Sequence, residues 1–359
     1  MSTTSSDYSQ PIFPTLLNDI SLQILARIPL SHHPTLSLVS KPFHTTLTSP
    51  HLHLTRRLLH LTRPHLLLFL RLPPNSDYPS LHFLLIDPKT LNPLIRVIKT
   101  PFRNTIGASI VGLGSRVYVI GGSVDDVATN SMWVYDIESN EWGLGEEMRV
   151  KREFAACGVV DGKVYVMGGC VANTRAKERN WAEVYDPVER RWGGVECELE
   201  VKEGLMHSSV VIEGKVYGMA DRGGVVYDPR GGEWGIVSKR LDNGWRGRAT
   251  VVDGVLYCYD YLGKIRGFDS GKDVWRELKG VEKGLPRFLC GATLVNVDGR
   301  LFVVWEEKGN GKVMEVMCAE IEVKKEEDGG GLSGKIVWSG VVAVVPFKSS
   351  IVNCLAVAL

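Results

Sequence analysis

One glycine-rich segment near the end of the chain approaches the pattern of a phosphate-binding loop. Gly329, Gly334 and Lys335 fit the spacing G-x-x-x-x-G-K, in which backbone amides and a lysine hold nucleotide phosphates. Ile336, however, stands where a serine or threonine would bind magnesium, and no buried strand precedes the segment. The run Lys324 to Asp328 before it is typical of a solvated loop. We therefore expect no nucleotide chemistry here.

The imidazole and thiol side chains match no known set of metal ligands. Eight of the nine histidines precede residue 83, and they are His32, His33, His44, His51, His53, His60, His65 and His82. The seven cysteines are dispersed and never spaced as C-x-x-C, and they are Cys157, Cys170, Cys197, Cys258, Cys290, Cys318 and Cys354. They indicate reduced thiols, with zinc binding or a disulfide framework as the alternative. No Ser/His/Asp or Cys/His set indicates nucleophilic catalysis, so we expect neither a metal nor another cofactor.

The composition favours a cytoplasmic or nuclear protein, or one found in both places. A formal charge of +1 gives no general attraction to nucleic acid or to a membrane. The most apolar stretch, Leu52 to Leu72, is interrupted by four arginines and a proline, which excludes a membrane-spanning helix. The polar start of the chain lacks the basic and apolar regions of a secretory signal. We expect residues 1–11 to be disordered.

The hydrophobic period changes from helical to strand-like near residue 63. Residues 12–62 predict three short helices: one over Ile20 to Ile28 with Asn18 as its N-cap, one that carries Leu36 and Phe43, and one after Pro50. Residues 63–359 contain short apolar runs separated by Gly, Asp-Gly and Asp-Pro. The chain is therefore predicted to have a helical module followed by an all-β domain.

Internal repetition is the strongest signal in the β domain. An aromatic residue and a tryptophan recur seven positions apart, as Tyr135/Trp142, Tyr185/Trp192, Tyr227/Trp234 and Phe268/Trp275. Glycine pairs end two of the strands, Gly121-Gly122 and Gly168-Gly169. Glycine suits tight turns and the crowded centre of a ring, and the aromatic side chains provide large apolar faces between neighbouring sheets. Because one four-stranded sheet cannot bury both faces alone, the units are expected to form a ring.

The repeats predict a mainly β fold with six blades, and seven blades is the main alternative. Five clear units cover residues 102–147, 152–197, 206–239, 246–279 and 286–340. Residues 65–100 make a sixth unit that lacks its innermost strand, while Ser350 to Leu359 is an unpaired apolar run. We expect this C-terminal run to supply the missing strand and close the ring.

Two parts of the chain resemble known families. The glycine pair, the later tyrosine and the tryptophan seven residues beyond it resemble kelch repeats, whose fold is a β-propeller. The segments 16–20, 24–29, 36–43 and 49–50 resemble the F-box in their order, with Leu17 where that family usually has proline. The resemblance implies that this module binds a Skp-type adaptor, which bridges to a cullin. The residues it implicates in adaptor binding are Leu16, Ile20, Ile24, Leu25, Pro29, Val39 and Phe43.

The combined resemblance implies a non-catalytic substrate receptor of a ubiquitin ligase. An interaction scaffold without ligase partners and a metal-dependent propeller enzyme are the alternatives. Long loops and blade connections open on one face of such a ring and are the expected binding site for a protein substrate. The basic residues expected there are Arg152, Arg175, Arg179, His207, Arg246, Arg248 and Arg287. They suggest an acidic or phosphorylated peptide as the ligand, unless the arginines tie the blades together.

Overall fold

The computed structural model shows a helical module followed by a β-propeller. It describes residues 11–73, 80–90, 93–103, 105–170, 181–197, 199, 205–221, 223–260, 263–289, 291–326 and 331–359. Residues 1–10 of the expected disordered segment lie outside this part of the chain, as do Arg175, Arg179, Cys290 and Gly329. In the described residues, no helix is both long enough and apolar enough to cross a membrane.

The helical module contains four α-helices where the sequence predicted three. They are α1 (Asn18–Ala26), α2 (His33–Leu36), α3 (Lys41–Leu47) and α4 (Pro50–Leu58), with a 3₁₀ turn at Leu30–His32. The predicted second helix is divided because the Ser40 hydroxyl accepts a hydrogen bond from the Phe43 amide (3.3 Å) and so caps a new helix. Asn18 is the first helical residue rather than the predicted N-cap, which is Leu17.

Four side chains form the core of the helical module, and they are Leu25, Ala26, Leu47 and Leu52. The ring of Phe43 packs edge-on against Phe13, with ring centroids 5.2 Å apart. The buried Arg56 guanidinium on α4 donates to the carbonyl oxygens of Ala26 (2.6 Å), Ile28 (3.1 Å) and Leu61 (3.2 Å). These bonds satisfy carbonyl groups at the end of α1 and connect α4 to the segment that precedes the first strand.

The described residues of the β domain form six antiparallel blades, each with a sheet of four strands. Blade 1 contains β1 (Pro64–Leu72), β2 (Ser80–Ile86), β3 (Leu94–Lys99) and the C-terminal β26 (Ser350–Ala358). Blade 2 contains β4 (Ser109–Leu113), β5 (Arg116–Ile120), β8 (Met132–Asp136) and β9 (Glu141–Leu144), with the hairpin β6 (Ser123–Val124) and β7 (Val127–Ala128) in one loop. Blade 3 contains β10 (Ala156–Val160), β11 (Lys163–Met167), β12 (Ala182–Asp186) and β13 (Arg191–Val195).

The remaining three blades follow in chain order. Blade 4 contains β14 (Ser208–Ile212), β15 (Lys215–Met219), β16 (Gly224–Asp228) and β17 (Glu233–Ile236), followed by α5 (Lys239–Gly244). Blade 5 contains β18 (Ala249–Val252), β19 (Val255–Tyr259), β20 (Ile265–Asp269) and β21 (Val274–Lys279). Blade 6 contains β22 (Thr293–Val297), β23 (Arg300–Lys308), β24 (Val313–Lys325) and β25 (Leu332–Pro346). A short parallel pairing of β21 with β25 joins blades 5 and 6.

The six blades close into a ring. Their innermost strands contact one another in the cycle β4, β10, β14, β18, β22, β26 and back to β4. Six separate hydrophobic clusters fill the interfaces between neighbouring blades. In β1, for example, Leu66 and Leu68 face blade 6 while Leu67 and Phe69 face blade 2. The alternation of side chains along a strand thus gives every blade two buried faces, and the predicted fold class is confirmed.

The tryptophan repeat has a simple geometric basis. Each aromatic residue lies directly across from its tryptophan on the next strand, as in the pairs Tyr135/Trp142, Tyr185/Trp192, Tyr227/Trp234 and Phe268/Trp275. The ring centroids of these pairs are 5.0, 5.2, 4.5 and 5.2 Å apart. The indole N–H groups of Trp192, Trp234 and Trp275 also donate to carbonyl oxygens of the preceding blade or its connection. The tryptophans therefore link neighbouring blades by both packing and hydrogen bonds.

The two predicted glycine pairs lie where a side chain would not fit. Gly121, Gly122, Gly168 and Gly169 all have positive φ angles. A Cβ atom at Gly121 would lie 2.5 Å from the carbonyl oxygen of Arg152, and one at Gly169 would lie 2.5 Å from that of Glu153. Both the backbone conformation and the close approach of the connection between blades 2 and 3 therefore favour glycine.

The C-terminal strand closes the ring, as the sequence predicts. β26 pairs with β1 from Pro64/Ala358 to Arg71/Ser350. Beyond the strands, the backbones of Arg63 and Leu359 exchange two hydrogen bonds of 2.7 and 3.0 Å. Without β26, blade 1 would expose an unpaired edge beside the central channel.

Deletion of residues 350–359 should destabilise the whole propeller, because it opens two blade interfaces at once. We expect loss of the cooperative thermal transition, measured by circular dichroism and calorimetry. The matched control replaces the exposed Ala356 and Ala358 of the same strand with serine and should unfold like the wild type. A deletion variant that retained the wild-type transition would contradict closure by this strand.

Candidate interaction surfaces

The helical module exposes a set of apolar side chains that its own core does not use. We call this set the helical patch: Leu16, Leu17, Ile20, Ile24, Leu38 and Val39, all of which are exposed. Ile20 and Ile24 lie one turn apart on the same face of α1. Four of these residues belong to the set expected from the sequence, whereas Leu17 and Leu38 do not, because their exposure depends on how the helices pack.

Two residues expected to bind the adaptor belong mainly to the core of the module instead. Leu25 is completely buried, and Phe43 is half-buried against Phe13. The prediction for Leu25 is therefore wrong for this structure, because α1 turns that side chain inward. Pro29 is exposed, as expected for a surface residue.

The helical module packs on the face of the propeller that carries the turns between the third and fourth strands of each blade. Leu30 joins the hydrophobic cluster between blades 1 and 2, and Arg57 forms an ion pair with Glu138 in the β8–β9 turn. A cleft of about 430 Å³ lies between the two parts and is lined by residues of both, including His33, His53 and Arg96.

Two buried histidines line this junction and are held neutral. Burial, with Arg56 and Arg96 nearby, lowers the pKa of both His33 and His53 to about 4. The Nε2 atom of His33 lies 3.1 Å from the Ile28 carbonyl oxygen, to which the neutral ring can donate. A protonated imidazole would be buried near the positive charges of Arg56 and Arg96, so protonation of either histidine lowers the stability of the folded chain.

The opposite face of the propeller contains one opening of the central channel. The loops between second and third strands and the connections between blades open there, since both lie at the same ends of the strands. A cavity of about 560 Å³ is lined by the inner strands together with Ile106, Phe154, His207 and Arg248. We call this face the mouth.

Arg152 lies in the interior, so its predicted contact with substrate is wrong for this structure. Its side chain is 1% exposed and pairs with Glu183, which is 0% exposed, at 3.0 Å. The guanidinium also donates to the carbonyl oxygens of Gly168 (2.7 Å) and Trp181 (2.8 Å). Glu183 accepts further bonds from two backbone amides before blade 3. Arg152 therefore fixes the connection between blades 2 and 3 and is inaccessible to a ligand.

The other predicted basic residues have different surroundings at the mouth. The Arg246 guanidinium donates to the carbonyl oxygens of Asp242 and Trp245, and that of Arg248 donates to Gly291 and Ile351. His207 and Arg287 are exposed. Part of the basic set thus holds the blades together, which was the structural alternative to phosphate or carboxylate binding.

Among the residues that the structure describes, no group of three or more His, Cys, Asp or Glu side chains could hold a metal ion.

The sequences of the helical module and of the propeller match two known domain families. The F-box domain matches residues 13–55, and the FKB95, Kelch-repeats domain matches residues 73–343. The chain belongs to the F-box/kelch-repeat family. The second match covers most of the propeller, so both resemblances inferred from the sequence are confirmed.

Relatives from Arabidopsis thaliana align along nearly the whole chain. F-box/kelch-repeat protein At4g39550 is 33% identical, with 96% of this chain and 93% of that protein covered. F-box/kelch-repeat protein At4g39240 is also 33% identical, with 96% and 90% covered. Among solved structures, that of YjhT covers 73% of this chain and 95% of its own, with a TM-score of 0.51 and 13% identity. At that identity the likeness concerns the fold alone.

Replacing Arg152 with leucine should destabilise the fold, because it leaves the Glu183 carboxylate buried without its partner. We expect the free energy of unfolding to fall by about 3–5 kcal/mol in urea titrations. Arg287→Leu at the exposed mouth is the control and should change stability little. Wild-type stability in the Arg152→Leu variant would contradict the structural role assigned here.

The junction histidines should make stability depend on pH. Their pKa values rise from about 4 in the folded chain to 6.5 in the unfolded chain, so the unfolded state binds more protons as the pH falls through this window. Each histidine should cost about 2 kcal/mol of stability between about pH 7.5 and about pH 5. The double variant His33→Gln/His53→Gln should reduce this slope in urea titrations. An unchanged slope would show that other groups dominate.

Proposed function

We propose that this chain is the substrate receptor of an SCF-type ubiquitin ligase. In this proposal the helical module binds a Skp-type adaptor, the adaptor binds a cullin, and the mouth of the propeller binds the protein to be ubiquitinated. The chain has no catalytic role of its own and positions its target for transfer of ubiquitin by other subunits.

The exposed helical patch is the observation that carries this proposal. Leu17, Leu38 and Val39 are more than half exposed, although the module has a core in which apolar side chains are buried. A group of exposed apolar side chains on one small module marks a protein interface more often than an ordinary solvent face. Membership in the F-box/kelch-repeat family supports a Skp-type adaptor as the partner.

The relative position of the two surfaces also supports a receptor. The helical module contacts one face of the propeller through Leu30 and Arg57, while the mouth lies on the opposite face. A target at the mouth therefore leaves the helical patch accessible to an adaptor. The shared hydrophobic cluster and ion pair would hold the target in a defined orientation relative to the ligase.

The other interpretations use less of this architecture. An interaction scaffold without ligase partners would require the propeller but not the exposed helical patch. A metal-dependent propeller enzyme would require bound metal, which elemental analysis of the purified chain can test. We also propose a cytosolic or nuclear location, and the free state of the described cysteines is compatible with a reducing compartment.

Substitution of Ile20 or Val39 by aspartate should abolish adaptor binding without unfolding the module, because both side chains are exposed. We expect at least about a tenfold loss of affinity for a purified Skp-type adaptor in calorimetric titrations, equivalent to about 1.4 kcal/mol or more. Pull-down of the cullin through that adaptor should fall in parallel.

The exposed Leu144, on the outer strand of blade 2, provides a matched control. Leu144→Asp introduces the same charge into the propeller and should leave adaptor affinity unchanged. The proposal fails if the wild-type chain does not bind the adaptor, or if Ile20→Asp and Leu144→Asp bind it equally well.

A further inference from the structure

Exposed apolar side chains surround the mouth of the propeller. They lie on five of the six connections between blades, two to five residues before the inner strand that follows. The set, which we call the mouth set, is Ile106, Phe154, Leu205, Phe288 and Phe347, with exposures of 43, 41, 52, 63 and 44%. Two of them, Ile106 and Phe154, line the same cavity, and clustered exposed apolar side chains mark interaction sites.

Phe154 is held in a conformation that phenylalanine rarely adopts. Its φ angle is +51°, in the left-handed region that bulky residues avoid. Its amide donates to the Gly107 carbonyl oxygen (2.6 Å), and its own carbonyl oxygen accepts from Met206 (2.7 Å). A Cβ atom at Gly107 would lie 2.7 Å from the phenyl ring, so glycine at this position leaves space for the ring. Neighbouring connections thus hold a strained aromatic residue at the cavity, where backbone strain is often functional.

Several arginines at the mouth are engaged in the propeller itself. Arg248 reaches from blade 5 to the carbonyl oxygens of Gly291 (3.0 Å) and Ile351 (3.2 Å). These acceptors lie within four residues of Phe288 and Phe347 respectively, so one arginine side chain connects the two segments that carry these rings. Arg152 is buried, and Arg103 pairs with Asp125 at 3.1 Å.

Two exposed cations adjoin the exposed aromatic residues. Arg287 precedes Phe288, with its guanidinium carbon 5.7 Å from the ring centroid, and Lys348 follows Phe347. Both are exposed, and neither forms an ion pair within the described part of the chain. The mouth therefore presents exposed apolar side chains with two exposed cations next to them.

We propose that the mouth recognises an unphosphorylated, extended peptide segment of the target that carries bulky apolar side chains beside a carboxylate. The apolar side chains pack against Phe154 and Phe288, and the carboxylate pairs with Arg287 or Lys348. This inference rests on the proposed function, since the segment would be the recognition element of the ligase substrate. The proposed ligand differs from the acidic or phosphorylated peptide that the sequence suggested, because several of the arginines expected to bind that peptide hold the blades together.

The test selects peptides from a phage-displayed library of random short sequences on the purified full chain in complex with its adaptor. We expect enrichment of Phe, Leu or Trp close to Asp or Glu. The affinity of a synthetic consensus peptide is then measured by fluorescence anisotropy. Phe154→Asn and Phe288→Ser should each weaken binding at least about tenfold, and Arg287→Glu should weaken it in proportion to the peptide's acidic residues.

The choice of asparagine separates binding from folding. Asparagine tolerates a positive φ angle, so Phe154→Asn should retain or raise the midpoint of thermal unfolding while it loses the peptide. Val188→Ser is the matched control, because Val188 is 90% exposed in the β12–β13 turn on the opposite face. It should bind the peptide with wild-type affinity.

Other outcomes would overturn this inference. They are the absence of an apolar consensus, tighter binding of phosphorylated peptides that lack apolar residues, and wild-type affinity in both Phe154→Asn and Phe288→Ser. Adaptor titrations distinguish this failure from failure of the proposed function. Phe154→Asn should bind the adaptor normally, whereas Ile20→Asp should lose the adaptor and retain the peptide.

Discussion

Closure of the ring is the constraint on which the rest of this structure depends. A four-stranded blade has two apolar faces, and each can be buried only by a neighbouring blade. The pairing of β26 with β1 provides the last neighbour, so the first and last segments of the β domain share one sheet. The same pairing continues into the bonds between Arg63 and Leu359, next to the helical module. Ring closure therefore also fixes the point at which the helical module joins the propeller.

Much of the propeller could be predicted because its determinants are local and periodic. The seven-residue spacing of Tyr135 and Trp142 places them opposite each other across a tight turn, and the glycine pairs mark close contacts between blades. The missing strand could be assigned because an incomplete first unit and an unpaired apolar C-terminus require each other. The division of the second helix was missed, since it depends on a cap at Ser40 within a continuous apolar pattern.

The candidate sites were less predictable because exposure depends on contacts between distant segments. The sequence around Arg152 predicts an exposed connection between blades. Its partner Glu183 is 31 residues away, and only the fold brings the two side chains together. On α1, Leu25 turns inward while its neighbour Ile24 stays exposed. The mouth set lies in irregular connections between blades. No hydrophobic period in the sequence there shows whether Phe154 or Phe288 is exposed or packs against its own loop.

On these two surfaces, some charged residues are buried or hold the blades together, and apolar residues face solvent. At the mouth, Arg152 and Arg248 form part of the frame, and phenylalanines face solvent. On the helical module, apolar side chains beyond those needed for the core remain outside. The frame is thus built partly from buried charge and hydrogen bonds, whereas the helical patch and the mouth set remain exposed.

Hydrogen–deuterium exchange of the full chain, alone and with a purified Skp-type adaptor, tests the receptor account most directly. If the chain is such a receptor, the adaptor should slow exchange in α1 and in the segment around Leu38 and Val39, while the connections at the mouth should exchange as in the free chain. Unchanged exchange in the helical module, or protection centred on the mouth, would contradict it.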